Sequence, residues 1–189
     1  DINLTLVAML RYAGIDANPL VISTKDNAIP FYPTLEKLNY VLAYVVIDQK
    51  SYFLDATQEF SDINLLPIRD YNWDGILIDN HKKVWRKINI DKPKQAITQY
   101  QINAMLNEDG EIEGDFKSRM SGHQAYLFRE GIKDQDMDAF ISNREDDFND
   151  IEISDYEAKN TDTYEGNVSE SFTFYQEDGA EVLNDKIYF

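Results

Sequence analysis

The 189-residue chain carries 35 Asp and Glu against 18 Lys and Arg, a net charge of −17, and contains no cysteine. Binding to a nucleic-acid backbone or to an anionic membrane surface needs clustered Lys and Arg, so this composition argues against both. Disulfides and thiolate metal sites are excluded within these residues, and no apolar run is long enough to span a bilayer.

The charge is unevenly spread. Residues 1–90 hold eleven acidic against nine basic side chains, a net of −2, and residues 91–189 hold twenty-four against nine, a net of −15. Two segments are expected, 1–90 and 91–189, with a boundary near Asp91-Lys92-Pro93-Lys94. The chain starts at Asp1 without an initiator Met or a signal peptide and is expected to be part of a longer protein.

In chain order, Ile2, Leu6, Met9, Leu10 and Ala13 form one helical stripe, widened by Leu4 and Val7 until the helix is apolar nearly all round. A buried central helix over 2–13 is predicted, with Asp1 as N-cap and Gly14 as its stop. Residues 19–23 read as a strand, Thr24 to Thr34 as a loop, and Leu38 to Ile47 as a strand apolar on both faces and therefore central in its sheet. If Asp48 and Gln49 are the centre of a tight turn, Tyr40 faces Thr57, Asp55 faces Leu42, and Tyr40 and Asp55 are diagonal neighbours roughly 7–8 Å apart on one face. A histidine at position 40 would there be oriented by Asp55 and could serve as a base. A tyrosine, titrating near pH ~10, cannot, so a structural hydrogen bond is the expected role of the pair.

The run from Leu38 to Thr57, with Tyr52-Phe53-Leu54-Asp55-Ala56-Thr57 at its end, resembles the His-to-Asp hairpin of transglutaminase-like cysteine enzymes, with Tyr40 at the histidine position. Asp1 to Ile15, Val21-Ile22-Ser23-Thr24 and Leu65-Leu66-Pro67-Ile68-Arg69-Asp70 extend the likeness, over about residues 1–80, to envelope proteins typical of Bacteroidota. The resemblance implies a partial transglutaminase-like (papain-like) core with an antiparallel sheet and a periplasmic or envelope location. It also implies a nucleophile upstream of Asp1 and vestigial triad positions at Tyr40 and Asp55.

In the second segment Tyr100, Ile102, Ala104 and Leu106 alternate with mostly polar residues, and Ile112, Gly114, Phe116 and Met120 alternate with charged ones. Asn107-Glu108-Asp109-Gly110 joins them as a turn, so a hairpin with one wet face is predicted. Residues 122–148 shift to helical spacing, with Met137, Phe140, Ile141, Arg144 and Phe148 on one stripe. Strands resume at 151–153 and at 168–174, and 180–183 read as a short last one. The order resembles the C-terminal domain of unknown function in the same envelope proteins. The fold class expected is α+β, the second unit a β-sandwich-like domain with a helical insertion.

Asp134, Asp136 and Asp138 have the spacing that opens a calcium loop, with Glu145 at the twelfth position. Ala139, however, stands where the sharp turn needs Gly, and Phe140 and Ile141 belong to a helical stripe, so a solvated helix is the favoured reading. Glu145, Asp146, Asp147 and Asp150 read as a solvated helix end. His81 and His123 are too few for a structural zinc site, no G-x-S-x-G elbow or Gly-rich phosphate loop is present, and no cofactor is implied. Twelve Tyr and ten Phe could line a glycan or peptide groove, although core packing is their ordinary role. A noncatalytic transglutaminase-like module for recognition or assembly in the cell envelope, with a protein, peptide or glycan ligand, is the expected function. The alternative is a fragment of an active acyl-transfer or peptide-hydrolysing enzyme whose nucleophile lies upstream.

Overall fold

The computed structural model describes residues 1–27, 38–90, 93, 95–149, 151–183 and 186–188. Among the described residues three α-helices are mixed with mostly antiparallel strands, and the chain divides into two compact units, Asp1–Gln95 and Ala96–Phe189.

The first unit opens with α1 (Ile2–Tyr12). The Asp1 carboxylate accepts from the Asn3 backbone N–H at 3.0 Å, and Gly14 follows the helix at φ +82°, a conformation that strains any residue with a Cβ. The expectation of a central buried helix is corrected. Asn3 and Val7 are buried with Leu6 and Leu10 packed beside them, whereas Met9 is 65% and Tyr12 96% exposed. The helix lies on one face of a sheet, over Ala17, Ala43 and Val45, and among the described residues of this unit it packs through that one side.

That sheet has the order β3-β2-β1-β4-β5, antiparallel throughout, from β1 (Asp16–Ile22), β2 (Tyr40–Ile47), β3 (Lys50–Leu54), β4 (Asp74–Asp79) and β5 (Val84–Asn89). β2 is interior, as its two apolar faces require. Ala43 and Val45 point to α1, while Leu42 and Tyr44 join Leu20, Ile22, Leu66 and Leu77 on the other side. Strand β1 begins three residues earlier than the sequence suggests, with Pro19 inside it. β4 pairs with β1 at Leu20 and Val21, so Pro19 lies outside that short ladder, where a missing N–H is tolerated. Most of the 24–34 stretch read as a loop lies outside the described residues. The β4–β5 hairpin was not anticipated.

The second unit contains β6 (Thr98–Leu106), β7 (Ile112–Met120), α2 (His123–Ile132), α3 (Met137–Asp147), β8 (Glu152–Lys159), β9 (Val168–Gln176), β10 (Glu181–Leu183) and β11 (Lys186–Tyr188). Strands β6-β7-β9-β8 form an antiparallel sheet, and β10 pairs with β11. The Asn107 side chain accepts from the N–H groups of Asp109 and Glu111 at 3.0 Å each and shapes the β6–β7 turn.

On the apolar face of the sheet Phe116 stacks on Phe172 at 4.5 Å between centroids, and Phe148 meets Phe116 edge-on at 5.4 Å. Met120 and Val168 pack against Ala125 and Phe128 of α2. Among the described residues this face therefore carries helices rather than the second sheet of a sandwich. The single helical insertion is two helices, because Asp134 turns the chain at φ 58° and Asp136 caps α3 through Asp138 N and Ala139 N.

Candidate functional site around Asp55

The β2–β3 hairpin positions the first two side chains. Asp48 and Gln49 both have positive φ, 49° and 65°, the type I′ geometry of a two-residue turn. Pairing runs from Ile47↔Lys50 to Ala43↔Leu54, and its continuation sets Leu42 opposite Asp55 and Tyr40 opposite Thr57. The Tyr40 hydroxyl donates to Asp55 Oδ2 at 2.8 Å and shares a short hydrogen bond with Thr57 Oγ1. Burial, reinforced by the Asp55 charge and partly offset by Thr57, raises the phenol above its ordinary range. Tyr40 thus keeps its proton at neutral pH and acts toward Asp55 as a hydrogen-bond donor, not as a base.

Asn3 completes the cluster from the first turn of α1. It is fully buried and donates through Nδ2 to Asp55 Oδ1 and to the Val41 carbonyl, each at 2.8 Å, while its Oδ1 accepts from Ala56 N at 2.8 Å. Thr57 N also donates to Asp55 Oδ1, at 2.9 Å. Three donors therefore hold a carboxylate that is 6% exposed.

A second carboxyl stands next to the first. The 3₁₀ turn Ile68–Asp70 places the Arg69 guanidinium over the Tyr40 ring, 5.4 Å from its centroid, and buries Asp70 completely. Among the described residues neither Asp70 oxygen receives a hydrogen bond; Arg69 Nε, at 3.5 Å, is an ion pair with its own sequence neighbour. Burial first, and then the charge of Asp55, push this carboxyl up to about 7, with Arg69 offsetting part of the shift. Two ionised carboxylates offer each other only acceptors. A proton on Asp70 makes it a donor toward Asp55 and resolves the conflict.

Sequence reasoning paired Tyr40 with Asp55 but did not find Asn3, Arg69 or Asp70 as members of the site. An amide within an otherwise apolar helix stripe was the available signal for Asn3.

The acidic residues of the second unit take other roles. Asp134 lies in the turn between the helices, Asp136 is the α3 cap, Asp138 is in the first turn of α3, and Glu145 Oε1 accepts from Ile153 N at 2.9 Å. Glu145, Asp146 and Asp147 belong to α3, and Asp150 lies outside the described residues. Among the described residues no three His, Cys, Asp or Glu are arranged to hold a metal ion. His81 is exposed in the β4–β5 turn, and His123 is buried at the start of α2.

A cavity of about 210 Å³ lies elsewhere in the first unit, lined in part by Asp16, Tyr44, Asp79, Lys82 and Arg86. Its charges already face one another: Lys82 Nζ is 3.3 Å from Asp79 and 3.7 Å from Asp16, and Arg86 lies over the Tyr44 ring. Comparison with protein-family models, curated proteins and solved structures finds no match to this chain.

Proposed function

We propose that this chain is a noncatalytic, transglutaminase-like module that serves recognition or assembly in the cell envelope. The observation that carries this reading is the hydrogen bond from Tyr40 to Asp55. The residue at the base position donates a hydrogen bond to the carboxylate that would have to orient a base, and Asn3 and Thr57 occupy the other oxygen. A group held in that arrangement supports structure and cannot take a proton from a nucleophile. The exposed rings of Trp73 and Trp85, 65% and 67% accessible, are the surfaces on which a protein, peptide or glycan ligand would be recognised.

The test is an assay of residues 1–189 with a glutamine-containing protein and a fluorescent primary amine, run beside a peptide-hydrolysis assay. No turnover above the buffer control is expected, and Asp55→Asn should change nothing. Turnover that disappears in Asp55→Asn would overturn the proposal and make the chain part of an acyl-transfer or hydrolytic enzyme.

A further inference from the structure

Among the described residues the two large sheets end in four edge strands, β3, β5, β6 and β8. An edge presents unpaired N–H and C=O groups, and proteins usually protect it with charges, bulges or short length. β3 is five residues long and begins with Lys50, and β5 carries Arg86 and Lys87. β8 carries Glu152, Asp155, Glu157 and Lys159, and its pairing breaks register between Ser154 and Glu157.

β6 has none of these devices. Its nine residues contain no charge, proline or glycine, in a unit whose residues 96–189 hold twenty-three acidic against seven basic side chains. It pairs with β7 without interruption from Thr98↔Met120 to Leu106↔Ile112. Ile102 and Tyr100 lie opposite Phe116 and Ser118, on the face that carries the core. Yet Tyr100 is 67% and Ile102 57% exposed, even with the Tyr100 ring 5.9 Å from that of Phe116. Among the described residues of this unit the apolar surface therefore continues past the last covered strand to an edge with no pairing strand.

We infer that β6 is a self-pairing edge, through which two copies of this chain join antiparallel about Ile102 into one eight-stranded sheet. The occupant follows from self-complementarity. A two-fold axis at Ile102 sets that residue against its own copy, Tyr100 against Ala104, Gln101 against Asn103, and Thr98 against Leu106. A large side chain meets a small one and an amide meets an amide, and no like charges are opposed along the ladder. The acidic turn from Glu108 to Glu111 falls beyond the last of these pairs. This inference concerns the second unit and does not rest on the reading of Tyr40 and Asp55.

Sedimentation of residues 1–189 over a concentration series tests the pairing. A monomer–dimer equilibrium is expected, shifting toward dimer with added salt because each copy carries −17. Ile102→Lys, at an exposed position, should abolish the dimer and leave the melting temperature of the monomer unchanged. The register has its own test, because the chain has no cysteine. Under oxidation Ile102→Cys should give a covalent dimer in high yield, since position 102 meets itself, whereas Met105→Cys, facing Gln99, should give little. A monomer at every concentration, a dimer that survives Ile102→Lys, or equal cross-linking of the two cysteine variants would overturn the inference.

Discussion

Glu170 and Asp70 are both sealed from solvent, at 1% and 0% exposure, one in each unit. Around Glu170 the protein supplies donors. Arg144 reaches it with Nε at 3.0 Å and Nη2 at 2.6 Å, Tyr156 donates at 2.9 Å, and Ser118 Oγ lies at 3.4 Å. Burial and the carboxylate together drive the Tyr156 phenol far upward, so it stays a donor at any ordinary pH. Around Asp70 no hydrogen-bond donor is found among the described residues, and a second carboxyl is added. The first arrangement keeps a buried charge by solvating it with side chains, and the second avoids the charge by holding a proton. Equal depth of burial is thus met by two different arrangements of neighbours.

The comparison breaks most sharply at Arg144. Arg144→Met leaves Glu170 buried and charged with two weak donors, and about 3–5 kcal/mol should be lost, read by urea unfolding followed by far-UV circular dichroism. Asp70→Asn should act in the opposite direction. The Asp70 carboxyl sits near 7 when folded and near 4 when unfolded, so its favourable term is fully present below about pH 4 and is lost as pH rises through 7. The neutral amide removes that slope and should raise the stability of the first unit by on the order of 3 kcal/mol at pH 8. Both tryptophans, Trp73 and Trp85, lie in that unit, so their fluorescence reports on it alone.

Smaller effects sharpen the contrast. Tyr40→Phe removes a close donor to Asp55 Oδ2 and should cost about 1–3 kcal/mol by the same fluorescence. Ser118→Ala removes the longest of the Glu170 contacts and should cost below about 1 kcal/mol by circular dichroism, because the arginine and the phenol remain.

How much of this was legible in the sequence follows from how local each feature is. The Tyr40–Asp55 pair could be read because one two-residue turn fixes its register. The β6–β7 hairpin could be read because Asn107 to Gly110 separate two clean alternations. Asn3 reaches Asp55 across 52 residues, and nothing in a helix stripe says which distant carboxylate an amide will meet. β5 was obscured because nearly all its side chains are exposed, so Val84 to Asn89 show no apolar face to recognise. Asp134, Asp136 and Asp138 resemble the start of a calcium loop for a reason the structure makes plain. Short carboxylates that favour turns and caps break one helix and start the next.

Arg129 carries a further consequence. It is 1% exposed and is held by four main-chain carbonyls, those of Asn160, Tyr164, Glu165 and Gly166. These ligands arrive 31 to 37 residues after the guanidinium in the chain, and until they do the cation keeps its water. Docking of α2 and closure of the β8–β9 arch are thereby one event in assembly. A hairpin that could have formed locally must wait for a helix made earlier, and the second unit should fold as a single cooperative step.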